Sequence, residues 1–111
     1  MFARNLEFPQ LTPPPGATST REGSGESSDE VAARARIGST TLSPAQLVAH
    51  YGAQLSAAGW IAGARLSADD IATQLFTASD RDQRRWQGVF MVMTNGAGRD
   101  ASLTMHIAAD K

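Results

Sequence analysis

The chain contains no cysteine, which excludes disulfides, thiolate zinc sites and iron–sulfur ligation. It has almost no excess charge. Ten basic against eleven acidic residues leave a net −1 and a pI near 6.0, without the bulk positive charge of a nonspecific nucleic-acid binder. No apolar run approaches the roughly 18 residues of a membrane span. Large apolar side chains are scarce: Val, Leu, Ile and Phe number 20 among 111 residues. So small a share signals disorder only when net charge is also high, so a single small folded domain with a thin core is expected. Nineteen alanines lift the hydrophobic fraction to 41%, and nine of the ten basic residues are arginine.

Residues 1–16 read as an N-terminal segment and Pro-rich lead-in, and residues 17–111 as the domain. Phe2, Leu6, Phe8 and Leu11 lie scattered among polar residues. That pattern lacks the continuous apolar stretch of a signal peptide, although an envelope location stays open if Met1 is not the natural start. Thr-Pro-Pro-Pro-Gly at 12–16 favours a stiff polyproline conformation. Residues 17–22 read as a short polar strand, and Gly-Ser-Gly-Glu-Ser-Ser-Asp at 23–29 has turn chemistry. Val31, Ala33, Ala35 and Ile37 then alternate with Ala32, Arg34 and Arg36. This period of two predicts a strand with both arginines on the wet face, paired in a hairpin with the first.

The clearest helix spans 43–58. Ser43 caps it and Pro44 takes the first helical position. Leu47, Tyr51, Leu55 and Ala58 form the buried stripe, and Gly59 supplies the left-handed stop. Trp60 is placed to fold back over the last turn. Strands are expected at 61–66, 72–79, 84–94 and 102–109. The second of these is ambiguous, because Ile71 and Leu75 also suit a short helix, but Thr73, Phe76 and Thr77 favour strand. Asn-Gly-Ala-Gly at 95–98 is a hairpin loop. The expected architecture is α+β, in the order ββαββββ, with one helix on a mostly antiparallel sheet.

Motifs that carry chemistry are few. The two histidines, His50 and His106, have no ligand spacing between them. A hydrolase-type enzyme using one of them is the class-distinct alternative, since catalysis needs a base beside a Ser or Thr. Asp69/Asp70 and Asp80/Asp82 fall in predicted turns facing water. Arg84, Arg85 and Trp86 are the one basic cluster with an aromatic, and such clusters grip phosphate and stack on bases. Asp80 and Asp82 cancel much of that charge, so nucleic acid is not the expected partner. No cofactor or metal is expected.

Several motifs follow in a set order: Pro13-Pro-Pro-Gly-Ala17, a strand, Leu42-Ser-Pro-Ala-Gln-Leu47, Tyr51, Leu55, Ala58-Gly-Trp60, Trp86-x-Gly88 and a last strand over 103–107. This layout resembles small uncharacterised bacterial domains with a "PPGA … helix … AGW" pattern, often found in exported proteins or lipoproteins. The likeness spans about residues 13–109, and its motifs are structural. It implies one helix against an antiparallel sheet and brings no catalytic residue. The chain lacks the lipobox cysteine of the exported pattern.

One strand stands out. Val89, Met91 and Met93 point one way, Phe90 and Val92 the other, and a strand apolar on both sides expects cover on both sides. The second face is therefore expected to bind a protein partner or another copy of the chain, unless residues 1–11 fold across it. The expected function is a non-catalytic interaction or ligand-binding module.

Overall fold

The computed structural model describes residues 11–26, 30–80 and 83–107. They form β1 (Thr18–Glu26), β2 (Glu30–Gly38), α1 (Pro44–Ala57), β3 (Ile61–Ser67), β4 (Ile71–Ser79), β5 (Arg85–Asn95) and β6 (Gly98–Ile107). The six strands make one sheet in the order β1-β2-β6-β5-β4-β3, and every pairing is antiparallel. The single helix lies over β3, β4 and β5.

The helix is punctuated as its residues require. The Ser43 side chain accepts from the Gln46 N–H, and the Ser43 N–H donates back to Gln46 Oε1, closing a capping box. At the other end Gly59 takes φ +100°. The Gly59 N–H donates to the Ser56 carbonyl and the Trp60 N–H to the Leu55 carbonyl, the two bonds of a Schellman motif. Trp60 is buried there, edge-on to Phe76 with centroids 6.2 Å apart. The buried stripe is Pro44, Leu47, Val48, Tyr51, Gly52 and Leu55. Ala58, expected on it, is the exposed C-cap instead, because the helix ends before its next turn reaches the sheet. Gly52 takes its place in the seam: a Cβ there would stand 3.3 Å from Gln74 Oε1.

Two expectations at the N-terminal side need correction. β1 runs through Gly23 to Glu26, where a turn was expected. The register shifts between Arg21 and Gly23, so Glu22 is the extra residue of a bulge, and Gly23 and Gly25 beyond it pair with Arg34 and Ala32 on an edge strand that tolerates glycine. The tip of that hairpin, residues 27–29, lies outside the described residues. The Pro-rich run ends in a tight turn, with the Ala17 N–H donating to the Pro14 carbonyl at 3.0 Å and Gly16 at φ +84°, the left-handed value that favours glycine at that corner. Pro14 is buried, and Leu11, Ala17 and Leu42 pack against the core. The lead-in is therefore part of the packed body, on the helix side.

Buried Trp86, Phe90, Val92, Ala72, Phe76, Ala78, Leu103, Met105, Val31 and Ile37 share one face of the sheet and meet Leu47, Val48, Tyr51 and Leu55. Gly88 belongs to the same face, opposite Met105. A Cβ on it would come within 1.8 Å of the Thr104 carbonyl oxygen, so only glycine lets β5 and β6 pair here.

Candidate interface on the open sheet face

Among the described residues no helix or strand packs on the other face of the sheet. The ladder registers order its side chains into rows. The central row is Leu75, Val89, Thr104 and Ala32. Two residues to one side lie Leu66, Thr73, Met91, Ser102 and Arg34, and two to the other lie Ile61, Thr77, Gln87, His106 and Glu30. Beyond the first of these come Ile71, Met93, Asp100 and Arg36. The face is divided in two: apolar across β3, β4 and β5, polar across β6 and β2.

The apolar half is open to water. Ile61 is 67% exposed, Leu66 74%, Leu75 50%, Met93 39% and Ile71 36%, while Val89 and Met91 are half-buried. Three of the five residues expected to form a binding surface, Val89, Met91 and Met93, are therefore placed together on it. Phe90 and Val92 are not. They are 3% and 0% exposed beneath the helix, because α1 covers the face to which they point. Ile61, Leu66, Ile71 and Leu75 complete the surface and were missed from sequence. The alternation of Ile71, Thr73, Leu75 and Thr77 with Ala72, Gln74, Phe76 and Ala78 held the signal for two of them.

The polar half is locked at its β5–β6 corner. Arg36 donates from Nη1 to Asp100 Oδ1 at 3.0 Å and from Nη2 to the Asn95 carbonyl at 2.8 Å, and Asn95 Nδ2 donates to Asp100 Oδ2 at 2.7 Å. The Asn95 amide is the largest cause holding the Asp100 carboxyl below its ordinary value; burial, next in size, pushes the other way, and the Arg36 guanidinium and the Arg34 charge add to the lowering. Glu30, Arg34 and His106 remain exposed on this half.

The other sequence candidates fall elsewhere. His50 sits on the helix flank, its Nε2 2.8 Å from the Thr12 carbonyl and 3.1 Å from Gln54 Nε2. His106 lies on the opposite side of the sheet, so the two histidines do not converge. Among the described residues no three His, Asp or Glu side chains gather as a metal site would require. Trp86 is 1% exposed, and its ring cannot stack on a base. Its Nε1 donates to Asp80 Oδ2 at 2.9 Å, and Arg84 donates to the same carboxylate from its backbone N–H and Nε. Asp80, expected to face water, is thus a buried acceptor for the β4–β5 turn, while Asp82 lies outside the described residues.

No protein-family model matches this chain, and neither a curated protein nor a solved structure matches it. No helix of the described residues is long and apolar enough to cross a membrane.

Proposed function

We propose that this protein is a non-catalytic interaction module that docks a protein partner on the open face of its sheet. The supporting observation is contiguity. Ile61, Leu66, Ile71, Leu75, Val89, Met91 and Met93 adjoin across three paired strands, and monomers rarely leave a large continuous apolar patch in water. The methionines suit such a surface, since a flexible thioether adapts to the shape laid against it. A photo-crosslinking amino acid in place of Leu75, introduced in the cells that make the protein, tests the reading. A discrete adduct is expected from Leu75 and not from Ala53, which is exposed on the outer side of the helix. Absence of any adduct at Leu75 refutes it.

A further inference from the structure

The open face is self-complementary about its central row at its apolar centre and at its charged edge, while Met91 and Met93 fall opposite the partner's Gln87 and Arg85. A two-fold axis lying along Leu75, Val89, Thr104 and Ala32 exchanges the rows on either side. It lays Leu66 against the partner's Ile61, stacks Leu75 and Val89 on their own copies, and sets Glu30 against the partner's Arg34. We infer that the docked partner is a second copy of this chain, packed face to face about that axis. This inference rests on the docking role proposed for the face.

Charge favours this arrangement, and area sets how much of the face it must use. The five exposed apolar residues present on the order of 500 Å² to water, already near the upper end of the roughly 300–600 Å² patches found on monomers. A standard interface takes about 800 Å² from each partner, so the apolar half alone falls short and the polar half must be included. That half carries its exposed acid and base at equal distances from the axis, Glu30 two residues to one side of Ala32 and Arg34 two to the other. An isologous contact requires such antisymmetry, because each patch must complement itself. Two twisted sheets also pack face to face with their strands nearly aligned, about 30° apart, which keeps these rows in register near the axis. The described lead-in does not compete for the face, since Leu11 packs into the core and the Thr12 N–H donates to Gln54 Oε1 on the helix.

Sedimentation of the intact chain up to about 0.5 mM, within reach of a weak complex, is expected to show a monomer–dimer equilibrium. Leu75→Arg puts like charges on the axis and should weaken the dimer by about 100-fold. Glu30→Arg should weaken it by about tenfold, and Glu30→Arg combined with Arg34→Glu should restore it to within about threefold. Glu30 and Arg34 are exposed, so the swap remains decisive if Leu75→Arg fails to fold. A chain monomeric throughout overturns the inference, as does a dimer indifferent to Leu75→Arg, or a charge swap that restores nothing. A chain that dimerises only after residues 1–10 are removed overturns it too, by showing that this segment occupies the face. The crosslinking experiment separates the two readings. An adduct at Leu75 whose mass is not that of two chains supports the docking role and defeats the second copy, whereas no adduct defeats both.

Discussion

Replacing Asp80 measures how much one buried carboxylate contributes to the sheet. Its side chain is fully buried, and it accepts from the Arg84 N–H at 2.9 Å on Oδ1, and from Arg84 Nε at 3.1 Å and Trp86 Nε1 at 2.9 Å on Oδ2. Asparagine keeps the shape but puts an amide NH2 where one oxygen accepts, so at least one N–H donor is left facing another donor. Where the amide nitrogen faces Trp86, the orphaned Nε1–H lies in the core and cannot find water; turned the other way, the amide nitrogen faces the Arg84 backbone N–H. Leaving a buried donor unsatisfied costs about 1–3 kcal/mol, and Asp80→Ala, which strands all of them, should cost about 3 kcal/mol or more. The Arg84 side chain is 42% exposed, and an ion pair with one such wet partner contributes about 1 kcal/mol at most. The expected order of destabilisation is therefore Asp80→Ala, then Asp80→Asn, then Arg84→Ala. Urea unfolding followed by circular dichroism resolves these steps, since with an m-value near 1.5 kcal/mol/M a 2 kcal/mol loss moves the midpoint by about 1.3 M. Asp80→Asn indistinguishable from wild type, or no worse than Arg84→Ala, would refute the account of the turn as built around its carboxylate.

Leu55→Ala empties a fully buried position beneath the helix and should cost about 2–5 kcal/mol in the same assay. Gly88→Ala drives a Cβ into the Thr104 carbonyl and should cost about 3 kcal/mol or more, or prevent folding, where Gly→Ala at an unstrained site stabilises. Tyr51→Phe should stabilise by about 0.5–1.5 kcal/mol, because the Tyr51 hydroxyl is buried without a hydrogen-bond partner. Burial raises the Tyr51 pKa, so the folded state keeps this proton where the unfolded chain has lost it. Wild type should therefore lose stability as pH rises above about 10, and Tyr51→Phe should lack that loss. The lowered Asp100 pKa acts at the other end of the scale. Its contribution is complete above the ordinary carboxylate range and disappears as pH falls through the depressed folded value, so Asp100→Asn should flatten the stability profile below about pH 4.

The helix was legible because its ends are written locally: Ser43, Pro44 and Gly59 act through bonds to residues at most four positions away. The last strand and the one at 31–37 were legible from alternation, and the 95–98 hairpin loop joins β5 to β6 where it was expected. What escaped depended on distant partners. Asp80 is in a turn by sequence and in the core by virtue of Trp86, six residues on. β1 outran its expected end because an edge strand tolerates Gly23 and Gly25. Leu75 and Ile71 matched a helical spacing, yet a separation of four also falls on one face of a strand. Ile61 and Leu66 are five apart, which counted by twos puts them on opposite faces. The register shift between Ala62 and Arg65 sets the four residues 62–65 against the three residues 74–76 on β4, and the bulge brings both onto the open side. Which flank of β5 faces water is settled by the helix, whose Tyr51 ring stands edge-on to Phe90 with centroids 5.9 Å apart.

The thin core and the open face are two consequences of one distribution. A sheet covered by a helix on one side needs large apolar residues on that side alone, which explains how so few of them suffice. Among the described residues, nine Val, Leu, Ile and Phe residues are buried there. Yet Ile61, Leu66, Ile71, Leu75 and Val89, a quarter of the chain's 20, lie on the face that folding leaves in water. Single exposed apolar residues are ordinary on any protein surface. A chain so poor in them that concentrates five on three adjacent strands is in a different position. Threonine satisfies strand propensity as well as isoleucine or valine does, and this chain uses it at 73, 77 and 104 in the same rows. The fold therefore does not require apolar residues at 61, 66, 71, 75 and 89. The proposed docking of a second surface would account for their placement, and Glu30 and Arg34, set at equal distances on either side of Ala32 on the polar half, are what the proposed second copy would meet.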